Sequence, residues 1–327
     1  MNNSNKKSHN ISFQNLNRKE YFEGWYYKLV SEDENTIISF IPSFHRTKEN
    51  SYAMLQCVLG EYNGNEWKVK TGFIKYNSKN FIVSNEPFNL NLKENLFRED
   101  KIRIDFSGKF FNINGQVNLS NFKRLPQSFL CPDIMGFFSY LPGLECIHDI
   151  VSLDHKLGGS LNINGKPVSF SEGRGYIEKD LGSSFPKYYI WVQSNHFNTR
   201  PSSLFFSFAN IPVGPTSFDG FICHLWTGSQ DIRFGTYNID SCNISKDGPR
   251  KVSITLENKN YKLEIFAHKK SFVDLEAPIK GIMSATIKEG LGAYIKYSLL
   301  NKKTGEITQD KTSIGGVEIT DKLSPKK

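Results

Sequence analysis

Three Asn-Gly pairs, Asn63-Gly64, Asn114-Gly115 and Asn164-Gly165, punctuate short runs in which apolar and polar residues alternate. A period of two sends successive side chains to opposite faces of a strand, and Asn-Gly accepts the left-handed backbone of a two-residue hairpin turn. The alternation is cleanest in Lys101-Ile102-Arg103-Ile104-Asp105-Phe106 and in Lys262-Leu263-Glu264-Ile265-Phe266. No long amphipathic helix and no strand–helix alternation accompanies these runs, which argues against a doubly wound or α/β-barrel enzyme. A chain of 327 residues is long enough for about two domains. Its 26 Phe and 14 Tyr suit strands wrapped around an apolar space. The expected fold is therefore all-β, with two antiparallel barrel or sandwich units side by side. A polar, Asn-rich tail (residues 1–18) is expected to be disordered or loosely attached, followed by units at 19–160 and 161–327.

One segment breaks the pattern. Residues 126–146 carry Phe129-Leu130, Ile134-Met135-Gly136-Phe137-Phe138 and Tyr140-Leu141, interrupted by Pro132, Pro142 and Gly143. It is too broken for a long helix and too apolar for an ordinary surface loop, so it is expected to cover a core or a cavity mouth. The formal charge of +8 is modest and scattered, which excludes a nucleic-acid groove and fits solubility with weak attraction to anionic membrane surfaces. Five cysteines without C-x-x-C spacing, no apolar stretch behind the N-terminal lysines and no run of ~18 apolar residues suggest a cytoplasmic chain with reduced thiols, its membrane contact at most peripheral. Phosphate-cradling, dinucleotide and G-x-S-x-G motifs are missing, and no cofactor is expected.

Three clusters offer chemistry. In Tyr21-Phe22-Glu23-Gly24-Trp25-Tyr26-Tyr27-Lys28, strand phase puts Glu23, Trp25 and Tyr27 on one face and Phe22, Gly24, Tyr26 and Lys28 on the other. Lys28 would mark the solvent side, turning Glu23 inward, where desolvation raises a carboxyl pKa. The plainer alternative pairs Glu23 with Arg18 or Lys19. In the second cluster, Glu178 and Asp180 lie one strand period apart and could share a site, or be neutralised by Lys179 and Lys187 in a solvated loop. Downstream, Trp191, Gln193 and Asn195 share a face with Tyr189 and could orient a ligand, or simply satisfy backbone groups. In the third, Glu145 and His148 could form an acid and its partner at a cavity entrance, against a solvated polar stretch. Strand phase separates His148 and Asp154 from Asp149 and His155, so no metal site is expected there.

The first cluster resembles the F-E-G-W-Y block of the tocopherol cyclase family. Gly175-Tyr176-Ile177-Glu178-Lys179-Asp180-Leu181-Gly182-Ser183-Ser184-Phe185-Pro186, followed by Trp191-Val192-Gln193-Ser194-Asn195, is similar to that family's E-K-x-x-G-x-x-F-P…W-x-Q-x-N block. Leu275-Glu276-Ala277-Pro278 and Gly315-Gly316-Val317-Glu318-Ile319 extend the likeness along most of the chain. The resemblance implies a lipocalin-like double barrel and cofactor-free closure of a prenylated phenol or quinol after protonation of its alkene. It implies Glu23, Glu178 or Asp180 as the acid, Trp25, Tyr27 and Trp191 around the cation, and Gln193 and Asn195 on the phenol head. Asp180-Leu181-Gly182-Ser183-Ser184 departs from the N-W-G-G-G-like residues of the plant enzymes, so a carotenoid hydratase-like reaction stays open. A carrier of an apolar lipid or isoprenoid would need the cavity but no unpaired buried acid, and a scaffold would need neither.

Overall fold

The computed structural model describes residues 11–322 apart from Pro142, Arg200, Gly214 and Pro215. Among the described residues the chain forms two large antiparallel sheets, and its only helical elements are three short 3-10 turns. In the first sheet, Tyr21–Val30 lies centrally between Thr36–Arg46 and Arg174–Gly182, and the latter pairs in turn with Cys146–Ile163. Ser51–Tyr62 and Trp67–Asn77 extend one side, and the strands between Phe81 and Lys123 extend the other. The sheet curls into a nearly closed barrel around Trp25, Tyr27, Phe40, Phe88, Phe97 and Leu161. In the second sheet, Tyr189–Ser194 sits between Ser203–Val213 and Ile307–Thr320, and Ile307–Thr320 pairs with Ile282–Asn301. Its core holds Ile190, Val192, Phe206, Leu225, Ile254 and Tyr297. The fold is all-β, with two lipocalin-like barrel units side by side.

A third apolar cluster lies between the barrels, built from Ile150, Tyr176, Tyr189, Trp191, Phe205 and Ile287. The odd and even positions of Tyr21–Val30 are therefore both buried, one set in the first barrel and the other between barrels. Lys28 consequently does not mark a wet face. It is fully buried, with Nζ donating to Gln193 Oε1 (3.0 Å) and the Ile314 carbonyl (3.1 Å).

The sheets divide after Gly182 rather than near Ser160. Cys146–Ile163 runs unbroken through that point, and Arg174–Gly182 inserts into the first sheet. The expected loose tail is also corrected for residues 11–18. Ile11 is buried in the first core, its carbonyl accepts from Trp25 Nε1 (2.8 Å), and Phe13 packs against Trp25, Phe44 and Phe81. The rest of that tail lies outside the described residues.

The Asn-Gly pairs have three different fates. Asn164-Gly165 is a two-residue turn, both residues left-handed (φ 51° and 84°), between Cys146–Ile163 and Lys166–Ser169. Asn63-Gly64 starts a four-residue turn in which Asn63 Oδ1 accepts from the amides of Asn65 and Glu66. Asn114-Gly115 makes no turn: it lies inside the strand Asn112–Lys123, and the hairpin closes earlier, from Gly108 N to the Phe111 carbonyl. Gly115 has φ +135°, and a Cβ there would sit 2.7 Å from the Ser160 carbonyl oxygen. Gly115→Ala should therefore cost about 1–3 kcal/mol of stability, read as a lowered midpoint in denaturant unfolding. An unchanged midpoint would contradict this close strand approach.

Candidate active site

A cavity of about 180 Å³ opens between the two barrels. The face of Tyr21–Val30 opposite the first core supplies Phe22, Gly24 and Tyr26 to its wall, and Tyr189–Ser194 supplies Tyr189 and Trp191. Phe138, Phe185 and Phe221 add to the aromatic lining. Strand register then sets the polar groups. Asp180 is the cross-strand partner of both Gly24 and His148, and Glu178 is the partner of Tyr26. Glu178, Asp180 and His148 thus meet on one wall. The strand is held at its end by Gly182, where a Cβ would fall 2.0 Å from the Glu145 carbonyl oxygen.

His148 Nδ1 hydrogen-bonds Asp180 Oδ1 at 2.9 Å, and its Nε2 lies 3.7 Å from Glu178 Oε2. The imidazole stacks on Phe205 with ring centres 4.8 Å apart. Glu178 Oε2 accepts from Tyr176 Oη (2.7 Å) and Trp191 Nε1 (3.1 Å), while Oε1 has no hydrogen-bond partner among the described residues. Burial pushes the Glu178 carboxyl up to about 7, against the pull of His148. Burial also opposes charge on His148, yet Asp180 and Glu178 beside it carry it up to about 9. The protonated imidazole is hydrogen-bonded to Asp180 and lies beside a neutral Glu178, which limits uncompensated charge where water is scarce. Glu178 holds the acidic proton of this wall.

Glu23 is placed differently. It faces the first barrel interior, as strand phase suggested, but its carboxylate pairs with Lys179 Nζ at 2.5 Å. It also accepts from Tyr21 Oη (2.5 Å) and from the amides of Gln14 (2.8 Å) and Asn15 (3.0 Å). It anchors the segment around Gln14 and Asn15 to the first barrel and does not line the cavity. Lys179 is thereby turned away from Glu178 and Asp180, and Lys187 is exposed. The ring of Tyr27 packs in the first core and Tyr27 does not line the cavity, whereas Trp25 borders the cavity while its ring packs in the first core against Phe81 and Phe88. Glu145 is exposed just before the strand Cys146–Ile163, where only its carbonyl is used, accepting from Ser183 and Ser184. Gln193 binds Lys28, and Asn195 donates to Asp154 (2.8 Å) and the Gly175 carbonyl (2.9 Å), so both amides tie the barrels together. Of the residues singled out from sequence, Glu178, Asp180, His148 and Trp191 converge.

Two groups on the second sheet, Glu318 and Glu289, escaped the sequence reading as site residues. Glu318 is the cross-strand partner of both Trp191 and Glu289, lines the cavity and accepts from Tyr189 Oη. Glu289 Oε1 accepts from Tyr26 Oη (2.8 Å), and its Oε2 is buried with no hydrogen-bond partner among the described residues. Burial, with Glu318 beside it, raises Glu289 to about 8, and burial raises Glu318 to about 7. Burial lowers Lys28 to about 7 against the attraction of Glu289 and Glu178. The one signal available was strand phase in Gly316-Val317-Glu318-Ile319. The pairing of Glu318 with Trp191 cannot be read without the register.

His148, Glu178 and Asp180 are also the described residues that could hold a metal ion, with one donor atom from each lying within 4.8 Å of the others. Two of these donors already bond each other, and Oε2 of Glu178 accepts from two neutral donors.

A family model described as tocopherol cyclase-like matches residues 131–321. No curated protein matches the sequence. Among solved structures, a Nitrosomonas europaea protein assigned as AttH superposes with a TM-score of 0.59 at 11% identity, covering 97% of this chain and 98% of that one. CghA with Sch210972 gives 0.53 at 10% identity, covering 93% and 89%. Kievitone hydratase from Nectria haematococca gives 0.52 at 9%, covering 92% and 89%. At these identities the likeness is one of fold.

The buried carboxyls leave a signature in stability. Glu289 holds its proton up to about pH 8 when folded, against an ordinary value of 4.5. Its contribution is fully present below pH 4.5 and is lost as pH rises through 8. Glu289→Gln cannot ionise and escapes that loss. In calorimetric scans from pH 4.5 to 9, its melting temperature relative to wild type should climb with pH, whereas parallel curves would contradict the assignment.

Proposed function

The chain belongs to the tocopherol cyclase-like family, and from that premise we propose that it protonates an alkene of an isoprenoid or prenylated phenol and directs capture of the resulting cation. One observation carries the reading. Glu178, a carboxyl that keeps its proton near neutral pH, sits in an aromatic cavity with Oε1 unengaged. An alkene is a weak base, and a neutral carboxylic acid in a dry site can protonate it where a solvated carboxylate cannot. The donors on Oε2, Tyr176 and Trp191, hold the carboxyl in place and accommodate the charge left after proton transfer.

The proton adds to the less substituted alkene carbon, leaving a tertiary cation beside Trp191 and Tyr26, whose rings meet edge to face 5.6 Å apart. The phenol oxygen attacks the cation, its proton returns to Glu178, and the net change is an isomerisation. A cavity of about 180 Å³ encloses roughly one ring and a few carbons, so a long prenyl tail must leave through the opening. His148 and Asp180 form a polar edge beside the acid. If that edge holds water in place of the phenol oxygen, the same cation is hydrated, and the shared fold with kievitone hydratase favours keeping this second outcome. A pure carrier would have no use for a protonated carboxyl facing its ligand.

Incubation with prenylated quinols and polyenes in D2O tests the proposal. One deuterium should appear on a former alkene carbon of each product. Glu178→Gln should still bind ligand but lose roughly 10²–10⁴-fold in turnover. Ligand recovered unchanged and unlabelled from the wild-type protein would establish a carrier instead.

A further inference from the structure

The segment over the cavity has two faces of unusual composition. Ile134 and Met135 are buried, and Met135 and Phe138 line the cavity from above. The outer face is not polar: Phe129 is 86% exposed and Leu130 68%, and Phe137, Tyr140 and Leu141 are exposed beside them. Tyr140 Oη donates to the Phe129 carbonyl (3.0 Å), and Phe137 packs on Tyr237, which joins the patch to the turn Thr236–Asn238. At the end of that turn stands Ile239, 95% exposed and left-handed at φ +61°. A β-branched residue is strained there, and such strain persists where a function holds it. Between Arg124 and Glu145 the only charged residue is Asp133, whose carboxylate turns inward to the Met135 amide and Ser139.

We propose that this patch docks on a lipid surface, with Phe129, Leu130, Phe137, Tyr140, Leu141 and Ile239 entering the headgroup boundary. The patch is made of projecting tips on a segment and a turn, a shape that suits a deformable apolar phase. The rim is basic. Arg18 holds the Leu144 carbonyl (2.8 Å), Arg233 holds the carbonyls of Asp133 and Pro126, and Lys123 and Arg124 precede the segment. Lys123 pairs with Asp231 (2.8 Å), Arg18, Arg124 and Arg233 outnumber Glu145 and Asp240, and the whole chain carries +8, which favours anionic headgroups. The cavity beneath the segment is apolar, and apolar molecules dissolve in lipid, so docking would bring the opening to them without passage through water.

Vesicle flotation tests the proposal independently of any turnover. Wild-type protein and Glu178→Gln should float equally with phosphatidylcholine vesicles containing phosphatidylglycerol. The double variant Phe129→Ser, Leu130→Ser should lose at least about tenfold in partitioning. Ile239→Asn should also bind less while its melting temperature holds or rises, because Asn tolerates the left-handed backbone. That split separates docking from a structural role. Equal flotation of all variants, or wild-type protein left entirely in the buffer, would overturn the proposal. So would a concentration-dependent dimer that the double variant abolishes without any vesicle binding, since the patch would then pair two copies of this chain.

Discussion

A strand in an ordinary barrel hides one face and wets the other, but Tyr21–Val30, Arg174–Gly182 and Tyr189–Ser194 hide both. The two barrels press these strands together, so each polar side chain there must find a partner or give up its charge. Glu23 and Lys179 meet the requirement as an ion pair inside the first barrel. Asp180 and His148 meet it by hydrogen bonding. Glu178, Glu289 and Glu318 receive mostly neutral donors and meet it by keeping protons.

The same constraint separates structure from chemistry within one short motif. In Glu178-Lys179-Asp180, the middle residue points into a packed barrel and fastens the N-terminal segment, while its neighbours point into a cavity. An acid that is saturated with donors, like Glu23, stabilises the fold. An acid with one oxygen unengaged beside aromatic walls is the one to which we assign proton transfer. The distinction between Glu23 and Glu178 lies in their partners, since both are buried.

Much of this was legible in the chain. Alternation and turn chemistry identified an all-β fold, and strand phase placed Glu178 with Asp180 and Tyr189 with Trp191 on common faces. Phase cannot say what covers a face, however. Lys28 looked like a solvent marker because a second barrel packing on that side leaves no local trace. Asn114-Gly115 looked like a turn because a close strand crossing and a hairpin both call for glycine with positive φ. Glu318 and Glu289 were invisible as site residues because only long-range register brings them to Trp191 and Tyr26. The apolar segment was expected over a core or a cavity mouth, and Met135 and Phe138 line the cavity.

The central claim is that Glu178 carries a proton near neutral pH. Infrared difference spectroscopy of wild type against Glu178→Gln, followed from pH 5 to 9, tests it most directly. The account expects a protonated-carboxyl band that is present at pH 6, fades as pH rises past about 7 and is missing from the variant. No difference between the two proteins in that band at pH 6 would mean that Glu178 is already ionised, and the acid would have to be sought elsewhere.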